Sequence, residues 1–291
     1  MSLIRALIAI SSFVLFACGA FGGSHLTSPP AVPTPTAALA QWAAFPADQM
    51  PRPIVLFWEL APPGGFTSGD AKLAAVCSKL SLRTSLPTVV PAQASALWPD
   101  GTTASYKPIS AKEAFAAITK PQPGASPDMC GPIAPLQITT VDFETGLFDS
   151  DRGIVEISAW IFGSPNVVGG LEYPALPSSA FWKAAFAVPV SNETASISED
   201  GLTLMFSFYG APDSSGPCGA DYKGVVAESA SAVAVAVQEL ARSVPEGPVA
   251  CDAMAQQRTV TVTLARPLGG RVVVDAAGNA RPVCPAMHPQ C

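Results

Sequence analysis

Apolar residues along this chain come in short runs cut by proline and glycine, and most runs alternate with polar residues at the two-residue period of a half-buried strand. The clearest are Leu136-Gln137-Ile138-Thr139-Thr140-Val141-Asp142-Phe143-Glu144-Thr145 and Ile154-Val155-Glu156-Ile157-Ser158-Ala159-Trp160-Ile161-Phe162. Between them, Asp149-Ser150-Asp151-Arg152-Gly153 predicts a hairpin turn in which Gly153 supplies a positive φ. Pro53-Ile54-Val55-Leu56-Phe57-Trp58-Glu59-Leu60 is a short run rich in β-branched and aromatic residues, bounded by prolines, and predicts a buried strand. Further on, residues 202–208 alternate after the Asp200-Gly201 turn, and Val233, Val235 and Val237 alternate with alanines. Residues 258–275 predict a hairpin, with Pro267-Leu268-Gly269-Gly270 as connection and Val272-Val273-Val274 as return strand. Residues 228–241 also satisfy a helical pattern, and periodicity leaves the two open.

Two helices are predicted. Thr67, Ser68 and Asp70 offer N-caps before 71–80, where Leu73, Val76, Cys77 and Leu80 share a face. Ser110 and Glu113 have capping-box spacing ahead of 111–118, and Pro121 ends that helix. Residues 85–108 break into short extended pieces, and 123–132 is a loop carrying Cys130. These elements predict an α+β fold: an N-terminal mixed α/β region over 49–170, then an all-β, antiparallel C-terminal region over 180–283. The Gly- and Pro-rich stretch 163–179 is the expected boundary or long crossover, and 284–291 is a Cys-containing tail.

The first apolar run has a different character. Arg5 precedes residues 6–16, interrupted only by Ser11 and Ser12, and Leu15-Phe16-Ala17-Cys18 ends it with Gly19 following. A helix needs about 20 apolar residues to cross a hydrocarbon core of roughly 30 Å, so this run is too short to span one. It reads as a lipoprotein signal peptide over 1–17, cut before Cys18, whose thiol and amino group are then acylated. An ordinary secretory signal and an uncleaved anchor are the alternatives. Residues 18–48, with Ser28-Pro29-Pro30-Ala31-Val32-Pro33-Thr34-Pro35-Thr36, read as a Pro-rich spacer. The expected location is the extracytoplasmic face of the cell membrane, with the acyl chains on Cys18 as the membrane partner.

Charge agrees with a lipid tether. The chain carries a net charge of −6 with its few basic residues scattered, which excludes a phosphate-neutralising stripe and hence nucleic acid. It equally lacks a polybasic grip on lipid. Seven cysteines leave six once Cys18 is spent on lipid. Sequence neighbourhood pairs Cys77 with Cys130, Cys218 with Cys251 and Cys284 with Cys291, against the alternative of buried thiols. Metal ligation has little support: no CxxC occurs, and His25 and His288 lie in tail-like segments. Asp149 and Asp151 invite a calcium reading, against a solvated turn in which Arg152 neutralises its neighbours. No cofactor is expected.

Asp151-Arg152-Gly153, Ala159-Trp160-Ile161-Phe162, Cys218, Tyr222, Glu228-Ser229, Arg258-Thr259-Val260-Thr261-Val262, Ala265-Arg266-Pro267-Leu268-Gly269 and Arg271-Val272-Val273-Val274-Asp275 together resemble uncharacterised secreted lipoproteins of high-GC Gram-positive bacteria. The resemblance spans about residues 42–282, implies export and the Cys218/Cys251 pairing, and carries no activity. No Gly-x-Ser-x-Gly elbow, HExxH or Walker loop is present. Glu59, Glu113, Asp142, Glu144, Glu156, Asp221 and Glu228 are the acids from which a hydrolase pair would have to come. Glu228-Ser229 beside Tyr222 reads as a buried hydrogen-bonded corner, against a catalytic role. The expected function is a non-catalytic envelope module binding a protein, peptide or glycan through its β region or through Trp58, Trp98 and Trp160; a small carboxylate-dependent hydrolase is the alternative.

Overall fold

The predicted hairpin around Gly153 is the spine of the first sheet. A computed structural model describes residues 34–120, 129–182, 193–213, 218–240, 251 and 255–285. By internal contacts the chain divides into Met1–Val32 and Pro33–Cys291, and only the second unit is described. Strands β5 (Thr140–Ser150) and β6 (Gly153–Ser164) pair antiparallel along their length, joined by Asp151-Arg152, with Gly153 at φ 82°. β7 (Val167–Pro174) folds back on β6, so the expected boundary or crossover over 163–179 instead contains a strand of the same sheet. β2 (Ala94–Leu97) joins β6 and carries β3 (Thr103–Tyr106) outside it.

Both faces of this sheet are covered. Trp160, Phe162 and Leu171 pack against helices α2 (Gly69–Val76) and α3 (Ala111–Ile118) and against Ile138 of the short parallel pair β1 (Leu80–Leu82) and β4 (Leu136–Ile138). On the other face Ile54, Trp98, Phe148, Val155 and Ile157 form a second cluster. Residues 53–60 are not a regular strand. They and their neighbours touch the sheet through isolated bridges, Leu56 to Ser150, Ala61 to Glu172 and Phe66 to Val167, because Pro51, Pro53, Pro62 and Pro63 cannot donate to a ladder.

The α2 face differs from the expected one. Of the three residues offered as N-caps, Ser68 is the one used, accepting from Ala71 N at 3.2 Å, but Ala71, Ala74 and Ala75 face inward while Val76 is exposed. An alanine stripe lets the helix lie close on the core, and Cys77 leaves the helix at its C-cap to pair with Cys130.

The C-terminal half holds two sheets. One has the order β12 (Gln256–Thr263), β9 (Thr203–Gly210), β8 (Ala195–Ile197), β14 (Val283–Pro285); the other runs β10 (Tyr222–Glu228), β11 (Ala232–Glu239), β13 (Val272–Asp275). Leu204, Phe206, Phe208, Val260 and Val262 of the first meet Val233, Val235 and Val273 of the second. The opposite face of β11 and β13, Ala232, Ala234, Val272 and Val274, is covered by helix α1 (Pro35–Gln41) and by Trp42 and Phe45. Residues 35–48 are therefore part of the folded body and not spacer. The fold is α+β with a mostly β C-terminal half. That half is not purely antiparallel, since β13 pairs parallel with β11 and β14 parallel with β8.

The expected 258–275 hairpin does not form. β12 pairs with β9, and the following segment crosses to the other sheet because Leu264 and Leu268 are buried between the two. Arg271, 5% exposed, fixes that crossing: its guanidinium donates to the carbonyls of Arg266, Pro267 and Leu268 and to Glu228 Oε2 at 2.6 Å. Glu228 Oε1 accepts from Ala265 N at 2.7 Å, while Ser229 Oγ caps the turn to β11, so Glu228 and Ser229 form a hydrogen-bonded corner that is half-buried and does not include Tyr222. Tyr222 lies at the far end of β10, where its hydroxyl accepts from Ala211 N at 2.9 Å.

One buried ion pair joins the halves. Arg52 and Asp151, 7% and 2% exposed, form a two-pronged pair. Arg52 Nε donates to Gly270 O at 2.6 Å, its guanidinium lies 4.7 Å from the Phe45 ring centroid, Asp151 N donates to Val55 O, and Asp151 O accepts from Val283 N. Gly270 has no room for a side chain, since a Cβ there would meet Ala47 O at 2.1 Å. Asp151 is committed to Arg52, which leaves this turn without the free carboxylate a calcium ion would need there, and it is Arg52 rather than Arg152 whose side chain bonds to it. Removing one partner of a buried pair leaves an uncompensated charge, costing about 3–5 kcal/mol, whereas replacing both by apolar groups costs far less. Arg52→Met and Asp151→Leu should each destabilise by that amount in urea denaturation, and the double variant should recover most of the loss.

Candidate functional site

The C-terminal end of α3 meets β7 and residues 59 and 178–181 around a hollow of about 220 Å³. Ile109, Leu176 and Phe181 line it with Ala117 and Pro174, and Glu59, Lys120, Tyr173 and Ser178 supply its polar groups. The position of α3 follows from local chemistry. Ser110 Oγ accepts from Glu113 N at 3.2 Å while Glu113 Oε2 accepts from Ser110 N at 2.8 Å, the reciprocal capping box its spacing predicts. Ile109 N donates to Ala175 O and Trp160 Nε1 to Ile109 O, each at 2.9 Å, which lock the start of α3 to the sheet.

The other end is held from α2. Lys79 N reaches Ala74 O and Ser78 N reaches Ala75 O, the paired bonds of a Schellman ending, with Ser78 in the left-handed region at φ 53°. Glycine is usual at that position, but here the Ser78 hydroxyl donates to Lys120 O at 2.6 Å. That bond ties the wall of the hollow to α2, and the Cys77–Cys130 disulfide closes the same corner.

Tyr173 dominates the electrostatics. Burial, and secondarily the Glu59 charge, push its phenol up to about 12, so at neutral pH it is an O–H donor and not a base. Lys120 and Glu59 place opposite charges at the same opening. At 220 Å³ the hollow is smaller than the roughly 300–1,000 Å³ of drug-sized ligand sites, and its size suits a single side chain or chain end.

Among the expected site residues, Trp58 is 56% exposed, but Trp98 and Trp160 are only 4% and 2% exposed and belong to the two faces of the first core. Both rings fill the core instead of forming an exposed surface, which alternation alone could not foresee, and the buried indole N–H of Trp98 has no partner among the described residues. The disulfides Cys77–Cys130 and Cys218–Cys251 are present. Cys284 is disulfide-bonded, and its expected partner Cys291 lies outside the described residues, as do Cys18, His25 and His288.

The seven acids named from the sequence do not assemble. Glu113 is spent on its cap and Glu228 on Arg271 and Ala265, while Asp142, Glu144, Glu156 and Asp221 are exposed on β5, on β6 and just before β10. Only Glu59 lines the hollow. Among the described residues no group of three or more His, Cys, Asp or Glu is placed to hold a metal ion, and no helix is long and apolar enough to cross a membrane. Lys120, Tyr173 and Ser178 carried no signal in the sequence, because each occurs singly and they meet only in three dimensions. No protein-family model matches the chain, and no curated protein or solved structure matches it.

The Tyr173 phenol gives a direct test. An unfolded tyrosine ionises near 10, so between pH 10 and about 12 only the folded state keeps this proton. Its share of stability is fully present below pH 10 and is lost as pH rises through about 12. Absorbance titration should show one phenol ionising last, and Glu59→Gln should lower its midpoint.

Proposed function

We propose that this protein is an extracytoplasmic lipoprotein, tethered through acyl chains on Cys18, whose body is a non-catalytic binding module of the cell envelope. The hollow at the end of α3 is its recognition site, taking one amphipathic group of a peptide or glycan partner. The observation that carries this reading is the meeting of apolar lining residues with a phenol held protonated and two groups of opposite charge, in a space the size of one residue. A neutral O–H donor with an acid and an amine orients a bound group. The tether rests on the N-terminal pattern, and the disulfides support export because such bonds persist in oxidising compartments.

Two measurements test the two parts separately. Labelled palmitate should enter the protein in cells and fail to enter Cys18→Ser; equal labelling of both would remove the tether. Capture of partners from membranes by the intact lipoprotein, read by mass spectrometry, should yield species that Tyr173→Phe and Glu59→Gln lose while folding normally. Identical capture by the variants would overturn the assignment of the hollow. Turnover of an ester or glycoside panel that disappears in Glu59→Gln would replace binding by hydrolysis.

A further inference from the structure

Away from that hollow, three buried hydrogen-bond donors are left without an acceptor among the described residues, and Arg152 links them, stacking on Trp98 while its charge reaches Tyr106. Trp98 Nε1, Tyr106 OH and Arg152 Nε are all buried and all unpartnered. The β2–β3 pairing explains how the two aromatics come to share a surface. Tyr106 stands opposite Ala94, Ala96 opposite Ala104, and Trp98 N donates to Thr102 O, so Trp98 and Tyr106 lie on one face with only Ala96 and Ala104 between them. Both rings belong to the Phe148 cluster, and Trp98 is 4% exposed.

Arg152, from the tip of the β5–β6 hairpin, lies over this surface with its guanidinium carbon 3.8 Å from the Trp98 ring centroid. No hydrogen bond or ion pair engages its side chain among the described residues. The acids whose charges reach it are occupied elsewhere: Asp151 pairs with Arg52, and Asp100 accepts from Thr102 N at 2.9 Å and from Thr102 Oγ1 at 2.6 Å. Burial first, and then the charge of Arg52, make this cation less favourable than in water, which an anion would reverse. Burial also pushes the Tyr106 phenol up, partly offset by Arg152, so it too is a neutral donor.

We infer that Arg152, Trp98 and Tyr106 form a site for a small carboxylate. Arg152, the half-exposed member, is its mouth, and the planar guanidinium fork matches a carboxylate's two oxygens. The indole N–H and the phenol O–H, which water cannot reach in the closed arrangement, become donors to the ligand when Arg152 shifts to admit it. A buried polar group without a partner costs stability, so the ligand restores what the empty arrangement forgoes. The carboxylate has two possible sources, a free organic acid or the C-terminus of a peptide.

The test is thermal unfolding of the whole protein at pH 7 in sodium acetate against sodium chloride of equal ionic strength. At about five times its dissociation constant acetate should raise the midpoint by roughly 2–4 °C, saturably. The rise should vanish in Arg152→Gln and shrink in Tyr106→Phe, which keeps the packing ring. Should Arg152→Gln not fold, Arg152→Lys and Tyr106→Phe carry the comparison. An N-acetyl dipeptide that binds more tightly than acetate, with its C-terminal amide inert, identifies the peptide end; equal constants identify the free acid. A wild-type response in the Arg152 variants, an equal response to phosphate, or no saturable response to any carboxylate would overturn the inference.

Discussion

The two halves of the described body are joined at the buried Arg52–Asp151 pair. Asp151 occupies the tip of the longest hairpin, where a turn residue would ordinarily be solvated, yet it is 2% exposed because residues 52–55, Gly270 and Val283 close around it. A buried carboxylate is tolerable only with its oxygens satisfied, and the guanidinium fork does this with two bonds while a third reaches Gly270. The hairpin of the first sheet, residues 52–55, the segment leading into β13 and strand β14 are thereby held in one geometry. The same commitment leaves neighbouring Arg152 with no carboxylate bonded to its side chain among the described residues, the setting of the inferred carboxylate site.

A second constraint is that β11 and β13 are buried on both faces. In β11 the alanines face α1 and the valines face the four-stranded sheet. Small side chains let the helix approach closely, and larger ones fill the space between two sheets. A strand covered on both sides shows no polar alternation, which is why residues 228–241 also satisfied a helical pattern. The parallel pairing of β13 with β11 follows from the same packing, because Leu264 and Leu268 draw the preceding segment into the core between sheets instead of into a turn.

The recognition hollow depends on α3 being fixed at both ends by different means. Its start is held by a local capping box and its end by a hydroxyl from the α2 C-terminus, 42 positions away along the chain. Ser78 accepts a backbone conformation that glycine would adopt more easily, and its side chain gains the bond to Lys120 O. Tyr173 arrives from β7 with its hydroxyl in a partly buried, acid-lined setting. None of these relations has a spacing that a sequence pattern could reveal.

What the sequence determined by itself were the features governed by neighbours along the chain. The capping box at Ser110, a cap for α2 within residues 67–70, the hairpin with Gly153 at positive φ and the alternating β5, β6 and β9 all rest on residues close in sequence, while the two described disulfides join cysteines that neighbourhood along the chain had paired. The tertiary structure alone decided which face of α2 turns inward, that Trp98 and Trp160 are core, that residues 35–48 belong to the body and that β12 and β13 lie in different sheets. Those outcomes depend on what volume and charge the rest of the chain brings to each surface, and periodicity carries no information about the partner. The fate of Asp151 shows the division most plainly: its place in a turn was local, and its burial depended on Arg52, 99 residues earlier.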